Sequence, residues 1–249
     1  MRLAWTLLTA GAAMAVLLIS SGCGKKTDAG PDASTAAIRG SGTGSQGDSS
    51  PASQNAGSTK DLKKQATSDP YHPVVEIQTN LGSFQVELDA SQAPLTVDNF
   101  LRYVDSGHYD RTIFHQVLRD YVIMGGAYTA DLTEKRPHPS IRNEAQRCAL
   151  KNVAGTIAMV RKPDAPDSAT CQFFINVADN PNLDYKGPKP EEYGYCPFGK
   201  VTSGMDVVKK IAAVEVTDKT ADVPGKNEKA EFERLPTQSV VLQSVRRIR

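Results

Sequence analysis

Beyond residue 70 the chain alternates. Val75 and Ile77, then Phe84, Val86 and Leu88, are apolar, while Glu76, Gln78, Gln85 and Glu87 between them are polar. A period of two puts one face of each strand inside and the other in water. Val74–Thr79 and Ser83–Leu88 are therefore expected to form a β-hairpin around a turn at Asn80-Leu81-Gly82. The period then changes. Val97, Phe100, Leu101 and Val104 recur at helical spacing behind Pro94 and Thr96, and Gly107 stands where a helix ends in a left-handed residue. A second short helix is expected from about Gly204 to Ala212, with Met205, Val208, Ile211 and Ala212 on one side. Strand-like runs fill the remainder: Thr112–Leu118, Gly155–Val160, Gln172–Asn176, Pro197–Val201 and Ser239–Val245. Many short strands with two helices predict a mainly β fold, a closed antiparallel barrel capped by helices, with the terminal run as its closing strand.

The first 70 residues break this pattern. Arg2 precedes an apolar run from Leu3 to Ile19 that ends in Ser20-Ser21-Gly22-Cys23. A basic start, an apolar core and small residues before a cleavage point predict a signal peptide over residues 1–22. Cys23 directly after Ser-Gly resembles a bacterial lipobox, in which the cysteine is lipidated and becomes the new N-terminus, although Ser20 stands where such boxes usually carry leucine. An uncleaved transmembrane anchor is the competing reading, since the run is nearly long enough to span. Small residues and a cysteine where a signal peptidase needs them favour the lipoprotein, and both readings place the rest in the bacterial cell envelope, facing the periplasm or exterior. Residues 23–70 would then be the lipidated Cys23 and a flexible tether, rich in Gly, Ser, Ala and Asp and poor in large apolar residues. Its coil reach is roughly 35–40 Å. Gly42-Thr43-Gly44-Ser45-Gln46-Gly47 matches G-x-G-x-x-G, but no strand precedes it and no helix follows. Residues 71–249 make up the folded domain.

Charge and chemistry narrow the function. Twenty-nine basic and 28 acidic residues leave a net charge of +1, which offers no basic footprint for nucleic acid. There is no C-x-x-C, H-E-x-x-H or P-loop, and His72, His108, His115 and His138 lack metal-ligand spacing, so neither metal nor cofactor is called for. His115 reads as a hydrogen-bonded structural histidine. Beyond Cys23, the cysteines Cys148, Cys171 and Cys196 permit one disulfide and leave one thiol, with the pairing open. In the run around Gln172–Asn176, Gln172 and Phe174 share one face of the strand, while Cys171, Phe173 and Ile175 share the other. An amide beside an aromatic ring suits a pocket for an apolar ring next to a backbone amide.

Six motifs occur in order: Phe114-His115-Gln116-Val117, Gly125-Gly126-Ala127-Tyr128, Ile141-Arg142-Asn143-Glu144, Gly155-Thr156-Ile157-Ala158-Met159, Gln172-Phe173-Phe174-Ile175-Asn176 and Phe198-Gly199-Lys200-Val201. Together they resemble the cyclophilins, of the secreted bacterial type, from about Val74 to Arg249. The resemblance implies an eight-stranded barrel capped by two helices, acting as a monomeric peptidyl-prolyl cis-trans isomerase on proline-containing unfolded or flexible polypeptides. It further implies that Gln172 and Phe174 are the amide and aromatic wall and that Leu183 is the family's leucine. Tyr121 replaces a phenylalanine, Val122 a methionine and Met124 a glutamine; Asn182 falls near a tryptophan, and Tyr195 matches the tyrosine of secreted members. Gln116 stands at the family's catalytic arginine.

The chemistry of such a site is modest. Amide resonance sets a barrier of about 20 kcal/mol to rotating an X–Pro bond, whose isomers differ by only about 1 kcal/mol. No bond breaks, so a catalyst need only hold the ring, fix one side of the amide and stabilise the twisted form. With Gln116 in place of arginine, two readings follow: a slow isomerase for exported chains, or a proline-peptide-binding module of the same fold with little catalysis.

Overall fold

The computed structural model describes residues 69–222 and 229–248. The signal run Leu3–Ile19, Cys23 and nearly all of the tether lie outside the described residues. Among the described residues, ten strands and two α-helices follow in the order β1 (Val74–Thr79), β2 (Gly82–Leu88), α1 (Pro94–Asp105), β3 (Thr112–Leu118), β4 (Val122–Thr129), β5 (Thr156–Met159), β6 (Phe173–Asn176), β7 (Pro197–Ser203), α2 (Met205–Ala212), β8 (Val216–Asp222), β9 (Lys229–Pro236) and β10 (Val240–Arg247). Eight of the strands close a barrel in the order β1-β10-β3-β4-β6-β5-β7-β2, every pair antiparallel. The expected hairpin, both helices and the closing strand are present. Several expected edges move: Gly155, Val160 and Gln172 fall outside their strands, while β7 and β10 run two residues further.

Each element forms for a local reason. β1 and β2 turn through Asn80-Leu81, with Ile77 opposite Phe84 and Val75 opposite Val86, all buried. Pro94 opens α1, whose first amides have no side-chain cap of their own. The Glu144 carboxylate, from the segment between β4 and β5, accepts the N–H groups of Leu95 (3.2 Å) and Thr96 (2.9 Å) instead. A carboxylate there satisfies orphan donors and complements the helix dipole. Gly107, at φ +67°, ends the helix as expected. Phe100 projects from α1 into an aromatic nest with Tyr109, Phe173 and Phe198, ring centres 5.1–5.7 Å apart. α2 starts at Met205, with Gly204 left-handed ahead of it.

Two features depart from the sequence-based expectations. β4 is a full barrel strand, and β8 and β9 pair outside the barrel as a two-stranded arm. The arm lays Phe232 edge-on against Tyr128, which meets His115 in turn. His115 is buried against Tyr128, and its Nδ1 has no hydrogen-bond partner among the described residues. Burial pushes the His115 pKa down to about 4, and burial together with the nearby Lys135 does the same to His108. The unfolded chain therefore takes up protons near pH 6.5 that the folded chain refuses until about pH 4. This contribution to stability is complete above pH 6.5 and is lost as pH falls towards 4, by up to about 3 kcal/mol for His115. The urea midpoint is expected to drop steadily from pH 7 to 4.5; a flat profile would show that these rings are not held neutral.

Candidate active site

The site lies on a row across four neighbouring strands. Gln116 of β3 stands opposite Met124 of β4, Met124 opposite Phe174 of β6, and Phe174 opposite Ala158 of β5. Directly opposed residues in antiparallel ladders point to the same face, so these four side chains line up. Gln116 reaches that face through a break in register. Phe114 pairs with Gly125 and Gln116 with Met124, two residues of β3 against one of β4. Without this bulge Phe114 and Gln116 would share a face. With it, Phe114 and Val117 enter the main core while Gln116 and Leu118 turn to the other side.

Around the row, Val122, Met124, Ala158, Val160, Phe174, Leu183 and Tyr195 form an apolar cluster distinct from the main core, with Leu118 and Tyr121 half-buried at its margin. Phe174 is wholly buried within it, and Tyr195 meets Phe174 edge-on at 5.6 Å between ring centres. Gln172 is half-buried just before β6, and its carbonyl accepts the Val160 N–H at 2.9 Å. By alternation its side chain continues the Phe174 face. The structure thus brings together Gln116, Tyr121, Val122, Met124, Phe174, Leu183 and Tyr195, with Gln172 one step along. Asn182, exposed, donates to the Tyr121 hydroxyl at 2.8 Å.

Positioning falls to residues that sequence reasoning did not single out. Asn152, Asn176 and Asn180 are buried and linked: Asn176 Nδ2 donates to Asn152 Oδ1 (3.2 Å) and Thr156 Oγ1 (2.9 Å), and Asn180 Nδ2 to Asn176 Oδ1 (2.7 Å). Their free ends grip the wall. Asn180 Nδ2 donates to the Tyr121 carbonyl and Asn152 Nδ2 to the Tyr195 carbonyl. Asn176 ends the Gln172–Asn176 motif, but nothing in the sequence separates Asn152 and Asn180 from ordinary turn asparagines. Arg161 is also buried, donating to the carbonyls of Gly194 (2.8 Å), Lys162, Pro163 and Pro190 while its guanidinium lies 4.9 Å over the Tyr195 ring. Burial lowers the Arg161 pKa, which the nearby Tyr195 opposes, and burial raises the Tyr195 phenol. Arg119 is turned elsewhere: its Nη2 donates to the Ala213 carbonyl beyond α2, at 3.1 Å.

The row offers an apolar floor and neutral amides, with no nucleophile–base pair. Such a surface suits holding a ring and a peptide group. Residues 74–231 match the family model described as cyclophilin type peptidyl-prolyl cis-trans isomerase/CLD. The chain belongs to this family. This cyclophilin is 45% identical over 172 residues to a peptidyl-prolyl cis-trans isomerase of Streptomyces antibioticus, covering 69% of this chain and 96% of the relative. It is 39% identical over 175 residues to peptidyl-prolyl cis-trans isomerase A of Dickeya dadantii, covering 70% and 84%. It is 45% identical over 141 residues to peptidyl-prolyl cis-trans isomerase B of Escherichia coli, covering 57% and 85%. A crystal structure of a Cryptosporidium parvum cyclophilin superposes with a TM-score of 0.54 at 24% identity, covering 72% of this chain and 99% of that one, and shares the fold. The cyclophilin described here is accordingly a peptidyl-prolyl cis-trans isomerase.

Proposed function

We propose that this cyclophilin isomerises X–Pro bonds in exported polypeptides from a lipid-anchored position in the bacterial cell envelope, and does so slowly for its family. The row Gln116–Met124–Phe174–Ala158 carries the reading of the site. Phe174, Met124, Val122, Leu183 and Tyr195 take the proline ring. Gln172 fixes a carbonyl or N–H beside it, and Tyr121 closes the margin. Gln116, beside that pocket, donates a side-chain N–H to the prolyl nitrogen as the amide twists and the nitrogen regains its lone pair. Its neutral amide gives a weaker bond than a guanidinium would, because charge-assisted hydrogen bonds are roughly twice as strong. The binding-module reading draws on the same substitution, and an isomerisation rate on the purified chain separates the two. Turnover above the uncatalysed rate supports the slow enzyme, and peptide binding without turnover supports the module.

The location rests on the apolar run before Ser20-Ser21-Gly22-Cys23. Cys23 is expected to carry lipid, so the wild type should partition with membranes and the Cys23→Ser variant should not acquire lipid. Finding the Cys23→Ser protein cleaved after residue 22 and still membrane-bound would end the lipoprotein reading.

A further inference from the structure

Two thiols with no part in proline binding lie beside the segment that carries Tyr195. Cys148, between β4 and β5, and Cys196, next to Tyr195, are both buried and both donate to one acceptor, the Pro197 carbonyl, at 3.2 and 3.5 Å. Hydrogen bonding from Cys196 also favours the Cys148 thiolate, which holds Cys148 below an ordinary thiol and Cys196 above it. Cys148 is also the more exposed of the two, 9% against 3%, which makes it the attacking member and Cys196 the resolving one. Cys171 differs: burial pushes its thiol up to about 12.

We propose that Cys148 and Cys196 are a reversible dithiol–disulfide pair that staples the Tyr195 segment. The Cys148 thiolate attacks one sulfur of an external disulfide and expels a thiolate, leaving a mixed disulfide. The Cys196 sulfur, giving its proton to solvent, then attacks the Cys148 sulfur and expels the second thiolate. The protein loses two electrons and two protons, and the external disulfide becomes two thiols. The bond would lie where non-covalent ties already converge: Asn143 Nδ2 donates to the Gly194 carbonyl and Asn152 Nδ2 to that of Tyr195, both at 3.2 Å. Oxidation therefore adds a covalent tie between the same two segments and limits the motion of Tyr195. The proposal rests on the folded barrel and is independent of where the protein resides.

The full chain is equilibrated with glutathione redox buffers, once folded and once during refolding from denaturant, since both sulfurs are buried. Acid quenching, alkylation and peptide mapping then read the pairing. The expected product is a single internal disulfide between Cys148 and Cys196 with Cys171 alkylated. It should be absent from Cys148→Ser and retained in Cys171→Ser, and the Tyr195 amide should exchange with deuterium several-fold more slowly in the oxidised chain. Refolding under excess oxidised glutathione that gives mainly mixed disulfides, or mainly another pairing, overturns the pair. Unchanged exchange at Tyr195 in a chain shown to carry the bond overturns the staple.

Discussion

Gln116→Arg is expected to raise kcat/KM on a proline peptide about five- to thirtyfold while KM changes less than about twofold. Gln116 lies at one end of the row, opposite Met124. A charged donor gains most when the twisted amide frees the nitrogen lone pair, which is a transition-state interaction and appears in kcat. An extra 1–2 kcal/mol of charge-assisted bonding, roughly, corresponds to that range of rates. Arg119→Ala is the companion measurement. Because Arg119 bonds the Ala213 carbonyl, its loss should leave the rate within about twofold of wild type. If the wild type already matches Gln116→Arg and Arg119→Ala is slow, the charge comes from Arg119 and the role given to Gln116 is wrong.

Ending the chain before Ser239 should abolish cooperative unfolding. β10 closes the barrel between β1 and β3 and buries Val240, Leu242 and Val245 almost completely. Three such side chains are worth about 5–9 kcal/mol together, comparable with the whole stability of an ordinary domain. Their loss also bares the edges of β1 and β3, which invites association. A chain starting near residue 71 should instead melt in one transition. Thermal circular dichroism with size-exclusion chromatography reads both, and a monomeric, cooperatively melting product lacking residues 239–249 would refute the assigned role of β10.

The parts of the fold legible in the sequence are those that keep a single period. β2 alternates strictly and β1 does so from Val75 onward, and α1 carries Val97, Phe100, Leu101 and Val104 on one side. β4 hides because it is buried on both faces and contains Gly125-Gly126, which read as a breaker. Gly125 is there for close approach: a Cβ would stand 2.9 Å from the Ile113 carbonyl oxygen. β8 is largely polar, and within the arm only Ala230, Phe232, Leu235 and Pro236 of β9 are buried. In the site, the shared face of Gln172 and Phe174 follows from alternation. The placing of Gln116 does not, because a bulge resets the phase of β3 between Phe114 and Gln116. Arg161, Asn152 and Asn180 reach backbone carbonyls far away in sequence, which no local pattern announces.

The place of β1 in the barrel has a mechanical consequence. Its ladders run along both flanks, with β10 on one side from Val75 to Thr79 and β2 on the other from Val74 to Thr79. A pull at Val74 directed along the strand loads these rungs in parallel rather than peeling them one at a time. Under the proposed anchoring, tension between the membrane and a client chain held in the pocket enters the domain at this strand. The barrel would meet it in shear, the direction in which a paired strand resists most, and the row from Gln116 to Ala158 lies on four strands that do not include β1.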